Sequence, residues 1–183
     1  MASENPLESI WETYVVTRDC LKIAQRAIRR GHGGLLQNTE FMGDSPKDAG
    51  IQIRESRRRA DESAILSLWV VFERTLIALL QEKGRKLLEV QPVSLAQPLY
   101  EKYEIDVEYW RIDDSLNLLK GEVNQDLIGW VKQVKQYRDW IAHRNPRRPQ
   151  PANLDPKTAH TILSEVLASI GKIRASTNED VRN

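Results

Sequence analysis

Apolar residues recur every three or four positions over long stretches of this chain, and no run shows the alternation of a strand. The first stretch spans about Pro6 to Arg30, where Leu7, Ile10, Trp11, Tyr14, Val15, Leu21, Ile23, Ala24 and Ile28 fall mostly on one helical face. Asn5 followed by Pro6 supplies a capping side chain and a proline at the first helical position. Residues 31–50, with five glycines and the turn signal Asp44-Ser45-Pro46, predict a loop. The strongest pattern follows, from near Ser56 to near Leu88, with Ile65, Leu68, Trp69, Phe72, Leu76, Leu79 and Leu80 on a wide apolar face. Gly84 lies near its end, and Pro92 and Pro98 mark the connection beyond.

The stretch Tyr100–Leu119 is mixed. Its aromatics, Tyr100, Tyr103, Tyr109 and Trp110, suggest packing or a partner surface, and Asp113-Asp114-Ser115 reads as the cap of a short helix. A further helix begins near Val123 or Asp126 and carries Leu127, Trp130, Val131, Val134, Tyr137 and Ile141. It stops at Arg144-Asn145-Pro146, because the residue before a proline is pushed out of helical geometry. The last helix starts at Asp155-Pro156 and presents Ile162, Leu163, Val166, Leu167, Ile170 and Ile173, before a polar tail from Ser176 that is expected to fray. The pattern predicts one all-α domain over residues 1–183, an antiparallel helical bundle of four to five helices.

Composition narrows the chemistry. The chain has 183 residues, 40% apolar and 29% charged, enough to bury one real core. Its 27 Lys and Arg nearly cancel 26 Asp and Glu, so only local clustering can point to an acidic partner. Arg57-Arg58-Arg59 is one such run, either a solvated face or an anion-binding patch. Three cations at a helix start oppose its dipole unless the helix already begins near Ser45. The single cysteine, Cys20, rules out a disulfide within the chain and a Cys-rich zinc site; on its helical pattern it reads as a small core hydrophobe. The loop glycines lack the Gly-Lys-Ser/Thr of a phosphate-cradling loop, and His32 among them has no assigned role. No basic segment followed by an apolar run opens the chain, and Ala64–Leu80, broken by Glu73 and Arg74, reads as too short and too charged to span a bilayer. The expectation is a cytoplasmic protein with no membrane partner.

The segment Tyr137-Arg138-Asp139-Trp140-Ile141-Ala142-His143-Arg144-Asn145-Pro146 stands apart. It resembles the signature of HEPN domains: an arginine, usually followed by a small polar residue, then a histidine after four to six intervening residues. In that family the motif lies toward the end of a helix, before a turn and a final amphipathic helix, and 146–151 and 155–174 match those parts. Trp69-Val70-Val71-Phe72-Glu73 looks like the family's earlier long helix, where an acidic residue can accompany the site. The resemblance covers about Ile65 to Ile173. It implies a HEPN-like bundle and an endoribonuclease that needs no metal or cofactor. The 2′-hydroxyl of RNA attacks the adjacent phosphate and leaves a 2′,3′-cyclic phosphate. Arg138 would bind phosphate through its planar donor fork, and His143 would move protons, as imidazole does near neutrality. Asp139 would orient one of them, with Glu73 a weaker participant. It also implies a homodimer, a role as a toxin or antiviral effector, and a separate antitoxin or nucleotidyltransferase partner.

Helical geometry constrains that reading. Asp139 and His143 are one turn apart and share a face. Arg138 and His143 are five positions apart, about 140° around an ideal helix. They converge if the helix unwinds near His143, or if two copies of the motif meet across a two-fold axis. Lys132, Lys135, Arg144, Arg147 and Arg148 gather around the motif as an electrostatic footprint for an RNA backbone. The same residues also read as a solvated helix face and a surface loop. Arg138 and His143, taken alone, read as a helix-end ion pair and a dipole-stabilised histidine. A non-catalytic HEPN-like interaction or nucleotide-binding module is the alternative.

Overall fold

The computed structural model describes residues 5–144, 147 and 149–180, with the backbone alone for 172–180. Among these are seven α-helices and no strand: α1 (Glu8–Arg29), α2 (Gly33–Leu36), α3 (Pro46–Gly84), α4 (Val93–Asp106), α5 (Ile112–Leu118), α6 (Gln125–His143) and α7 (Pro156–Asp180). Short 3-10 turns, Arg85–Glu89 and Val107–Tyr109, flank α4. The all-α class follows the hydrophobic periodicity. The count exceeds four to five because α2 has four residues, too few to show a period, and α4 lies where prolines suggested a connection. Pro98 is the sixth residue of α4, past the first turn, so the helix forgoes the bond an N–H there would donate to the Ser94 carbonyl.

Helix α3 is the centre of the bundle. It starts ten residues before Ser56 because Ser45 caps it, its hydroxyl accepting from the Asp48 N–H at 3.2 Å with Pro46 next in line. The turn signal in the predicted loop was therefore a helix start. Arg57–Arg59 accordingly lie three turns inside α3, clear of its N-terminal dipole. Further along, Ile65, Leu68, Trp69, Phe72 and Leu76 are fully buried. They pack in one core with Val131 and Val134 of α6 and Leu163 and Val166 of α7. Each such side chain contributes about 1.5–3 kcal/mol by leaving water. By length and composition α3 and the turn after it are apolar enough to cross a membrane, with a window of mean hydropathy 1.8. In this fold its apolar face fills the bundle's core.

Helix α1 runs antiparallel to both α3 and α7, so α3 and α7, which pack against each other, run parallel. Tyr14 Oη donates to Asp61 Oδ1 at 2.8 Å, while Ile28 packs on Ala49 and Ile53, so α1 descends as α3 ascends. Asn5 Nδ2 donates to Ser164 Oγ at 2.9 Å and the Trp11 ring stacks on His160, pairing α1 with α7. Helix α1 buries less than its stripe predicts. Tyr14, Ala27 and Ile28 are buried, but Ile23 is exposed and so is Cys20, which is no core residue. The outer half of α1 meets α3 and the short α2, through the small separate core of Ile28, Ala49 and Ile53 with Leu36 and Phe41 packed on it.

The remaining boundaries follow local chemistry. At Gly84 a Cβ would lie 2.1 Å from the Tyr103 ring, which seals α4 against the end of α3. Helix α5 begins at Ile112, so Asp113 and Asp114 form its first turn and not its cap. Asn124 caps α6 by accepting from the Asp126 N–H at 2.7 Å. Along α6 the predicted face is buried except for Trp130, which is exposed. Asp155 caps α7, accepting from the Lys157 and Thr158 N–H groups at 3.0 and 3.1 Å. The backbone of α7 stays helical through Asp180, past the expected fraying point at Ser176; residues 181–183 lie outside the described residues.

Candidate functional site

Arg138 projects from α6 onto α3. Its Nη2 lies 3.3 Å from Glu73 Oε2, its Nη1 lies 2.9 Å from Asp139 Oδ1, and its guanidinium carbon sits 5.0 Å from the Trp69 ring centroid. Trp69 and Glu73 are one turn apart on α3, so one helix face offers both a π surface and a carboxylate to the same cation. Arg138 Nε is buried and has no hydrogen-bond partner among the described residues.

Asp139 joins this pair to a second cation. Its Oδ2 accepts from Lys135 Nζ at 3.1 Å, and Lys135 also lies 3.4 Å from Asp113 Oδ2 on α5. Burial pulls the Lys135 ammonium pKa down, but the Asp139 and Asp113 carboxylates more than offset it and hold it above the ordinary lysine value. The result is a chain of alternating charges across three helices: Glu73, Arg138, Asp139, Lys135, Asp113.

His143 lies on the groove side of α6. A groove of about 720 Å³ runs between this helix and residues 149–151, lined by Lys135, Asp139, Trp140, His143, Pro149 and Pro151. The His143 ring is exposed and makes no hydrogen bond or ion pair among the described residues. Two pairs of alternatives separate here. Helix α6 does not unwind before His143; it stays helical through that residue and reverses at Arg144, which adopts left-handed φ of 40°. Arg138 and His143 therefore stay about 140° apart around the axis, one turned to α3 and the other to the groove. Asp139 shares the groove with His143, yet both its oxygens are engaged by Arg138 and Lys135, so it links two cations instead of holding the imidazole.

The five cations expected as an RNA footprint separate. Lys135 lines the groove. Lys132 donates to Asn117 Oδ1 at 3.1 Å and ties α6 to α5. Arg144 turns back to α3 and pairs with the buried Glu62, whose other oxygen takes Arg58 Nη1 at 2.6 Å. Arg147 is exposed in the turn, and Arg148 lies outside the described residues.

Three participants went unread in the sequence. Trp69 is the core residue its periodicity predicts, and it also lies under Arg138, a contact between helices that its own helix does not announce. Glu62, a buried carboxylate between two arginines, looked like any polar helix residue. His160, stacked on Trp11 at 4.9 Å with Nε2 3.6 Å from Glu8 Oε2, had no pattern to mark it. Among the described residues no three His, Cys, Asp or Glu side chains are placed to hold a metal ion. No protein-family model, curated protein or solved structure matches the chain.

Proposed function

We propose that this chain is a HEPN-type endoribonuclease that cleaves RNA without a metal, acting as a homodimer with Arg138 and His143 as its working pair. The Glu73–Arg138 pair across α3 and α6 carries the reading. It joins the acidic residue of the early long helix to the arginine of the Arg-x4-His motif, as the resemblance implies. The groove on the other side of α6, joined to that pair through Asp139, supports it, because it offers an unengaged imidazole next to Asp139 and Lys135. The 2′-oxygen of RNA forms a bond to the neighbouring phosphorus as the 5′-oxygen of the next nucleotide leaves. His143 moves the proton between them, and the products are a 2′,3′-cyclic phosphate and a 5′-hydroxyl. Arg138 neutralises the phosphorane oxygens. In such a dimer, two copies of α6 would bring Arg138 of one subunit toward His143 of the other, since one continuous helix holds them apart. A toxin or antiviral effector, kept silent by a separate antitoxin or nucleotidyltransferase partner, is the setting that fits.

The test is cleavage of a labelled single-stranded RNA in EDTA by wild type and by His143→Ala. The reading requires a cyclic-phosphate product from the wild type, and none from the variant at an unchanged melting temperature. Equal activity of the two proteins defeats it. A second reading, a binding module without catalysis, draws on the engagement of Arg138 by two carboxylates and on Tyr109, 82% exposed beside Trp110. That module would be a strict monomer that leaves RNA intact.

A further inference from the structure

Residues 17–60 carry ten Lys and Arg against five Asp and Glu, in a chain whose total charge is only +1. They form the outer half of the α1–α3 pair, an arm built on its own small core of Ile28, Ala49 and Ile53. Four of the cations share one side of that arm. At about 100° per residue, Arg18 and Arg29 on α1 stand within about 20° of each other, as do Lys47 and Arg54 on α3. The two rows meet, because Arg29, Lys47 and Arg54 line one recess of about 160 Å³ together with Gln25 and Gly50. Nearer the bundle, Arg18 lies over the Tyr14 ring at 5.9 Å, and the charges of Arg18 and Arg57 both bear on the Tyr14 hydroxyl.

Most of these charges have no counter-charge. Arg29, Lys47, Arg54 and Arg57 make no ion pair or side-chain hydrogen bond among the described residues. The basic side then continues inward. Arg58 binds Glu62, and Glu62 binds Arg144, the residue after His143. The α1 row spans about 16 Å of helix and the α3 row about 10 Å, and the whole leads from the tip of the arm to the end of α6.

We propose that this side of the arm is a track for the sugar–phosphate backbone of RNA, delivering the strand to the His143 groove. The choice of RNA rests on the ribonuclease reading. The positive track itself rests on the arm's own charges. Arg18 is held by Asp19 at 3.3 Å, but the unpaired Arg29, Lys47, Arg54 and Arg57 leave a line of free cationic groups that matches a regularly charged strand, and such contacts bind by releasing counterions. A bilayer surface fits less well: Gln25, Gly50 and Pro46 stand between the rows, and the apolar Ile28 and Ile53 that share the recess are buried in the arm's own core, where lipid does not reach them. Ile23, the arm's exposed apolar residue on α1, points about 120° to 140° away from Arg29 and Arg18.

The probe is a fluorescein-labelled 2′-O-methyl RNA 20-mer, which binds without being cleavable, read by anisotropy at several salt concentrations. The double variant Arg29→Glu/Arg54→Glu is expected to bind at least about tenfold more weakly, with a shallower dependence of log affinity on log salt; two lost phosphate contacts lower that slope by about 1.4. Lys47→Gln/Arg57→Gln, milder at the same surface, should shift both readings in the same direction. Melting curves matching the wild type confirm that these exposed changes leave the fold intact. Cleavage of a tetranucleotide, short enough for the groove alone, should be unchanged in both variants. Unaltered 20-mer affinity and salt slope overturn the track. So does loss of binding to phosphatidylserine vesicles with RNA affinity intact, which would make the arm a lipid surface. Weakened RNA binding in the variants of a protein that cleaves no RNA would keep the track and defeat only the ribonuclease reading.

Discussion

Arg138 Nη2 stands 3.3 Å from Glu73 Oε2 across the α3–α6 contact, with the Trp69 ring beneath the guanidinium. Both partners keep about a quarter to a third of their side-chain surface in solvent, 24% and 32%, so water screens the pair. Its net worth is at most about 1 kcal/mol. Glu73→Gln should therefore lower the melting temperature by no more than about 4 °C. Orientation is a separate matter. With one carboxylate gone, Arg138 is aimed by Asp139 alone, and RNA cleavage should fall about tenfold in kcat with little change in KM. A KM effect alone would show that Glu73 does not position the arginine.

Glu62 presents the reverse balance. Its side chain is 9% exposed, while Arg58 and Arg144, which bind its two oxygens, are 43% and 49% exposed. Removing the acid strands two arginines that can turn to water, so Glu62→Ala should cost about 1–2 kcal/mol. Removing both arginines strands a buried carboxylate. Arg58→Ala/Arg144→Ala should cost about 3–5 kcal/mol at neutral pH. Urea unfolding of the two proteins measures the difference, and an equal loss would contradict the burial of Glu62.

Two glycines should respond in opposite directions to the same added methyl. At Gly84 the new Cβ would meet the Tyr103 ring, and that ring is pinned by its hydroxyl donating to the Leu80 carbonyl at 2.9 Å. Gly84→Ala should destabilise by about 1–3 kcal/mol through overpacking. Gly129 lies mid-way along α6, and a Cβ there meets nothing within 4 Å. Gly129→Ala should stabilise by about 0.5–1 kcal/mol, because the unfolded chain loses freedom and the helix loses nothing. Thermal melts of both variants decide the point.

What could be read from the sequence divides along a physical line. The core face of α3 was legible in full, since Ile65, Leu68, Trp69, Phe72 and Leu76 repeat with the helical period and are all buried. The first turns of α3 were not, because residues 46–60 bury only Ala49 and Ile53 and so show almost no period; the Ser45 cap holds them. Exposure within α1 was also illegible. Ile23 and Cys20 sit on an apolar pattern, but the arm lacks a third long helix to cover them. At the site, the resemblance to the HEPN motif singled out Arg138, Asp139 and His143. The partners Glu62, Asp113 and Trp69 come from other helices, and no pattern along one element reports a contact between two.

His160 gives a pH dependence whose sign follows from its setting. Burial lowers its pKa below the ordinary 6.5, and the Glu8 carboxylate at 3.6 Å only partly opposes this. The unfolded chain therefore binds this proton more readily than the folded one. The stability that His160 contributes is complete above about pH 6.5 and is lost as the pH falls through its lower folded value. His160→Phe keeps a ring on Trp11 and cannot charge. Between about pH 7.5 and 5.5 the wild type should lose more thermal stability than this variant. Parallel curves would show that the imidazole is not buried against Trp11.

The continuous helix through His143 leads to the sharpest test of the working pair. Arg138 faces Trp69 and Glu73 on α3, while His143 faces the groove, so the two side chains of one chain do not converge. If two subunits complete each site, the arginine of one works with the histidine of the other. Arg138→Ala and His143→Ala homodimers then lack activity for opposite reasons. A heterodimer of the two keeps one intact pair in trans. Random reassociation of equal amounts makes about half the dimers mixed, each with one site of two, and should restore about a quarter of wild-type cleavage. The mixture must be unfolded and refolded together, so that subunits exchange, and mass spectrometry under native conditions counts the mixed dimers. Abundant heterodimer with no recovery would place the arginine and histidine of each site in the same chain, which the α6 geometry does not allow without a change in the helix.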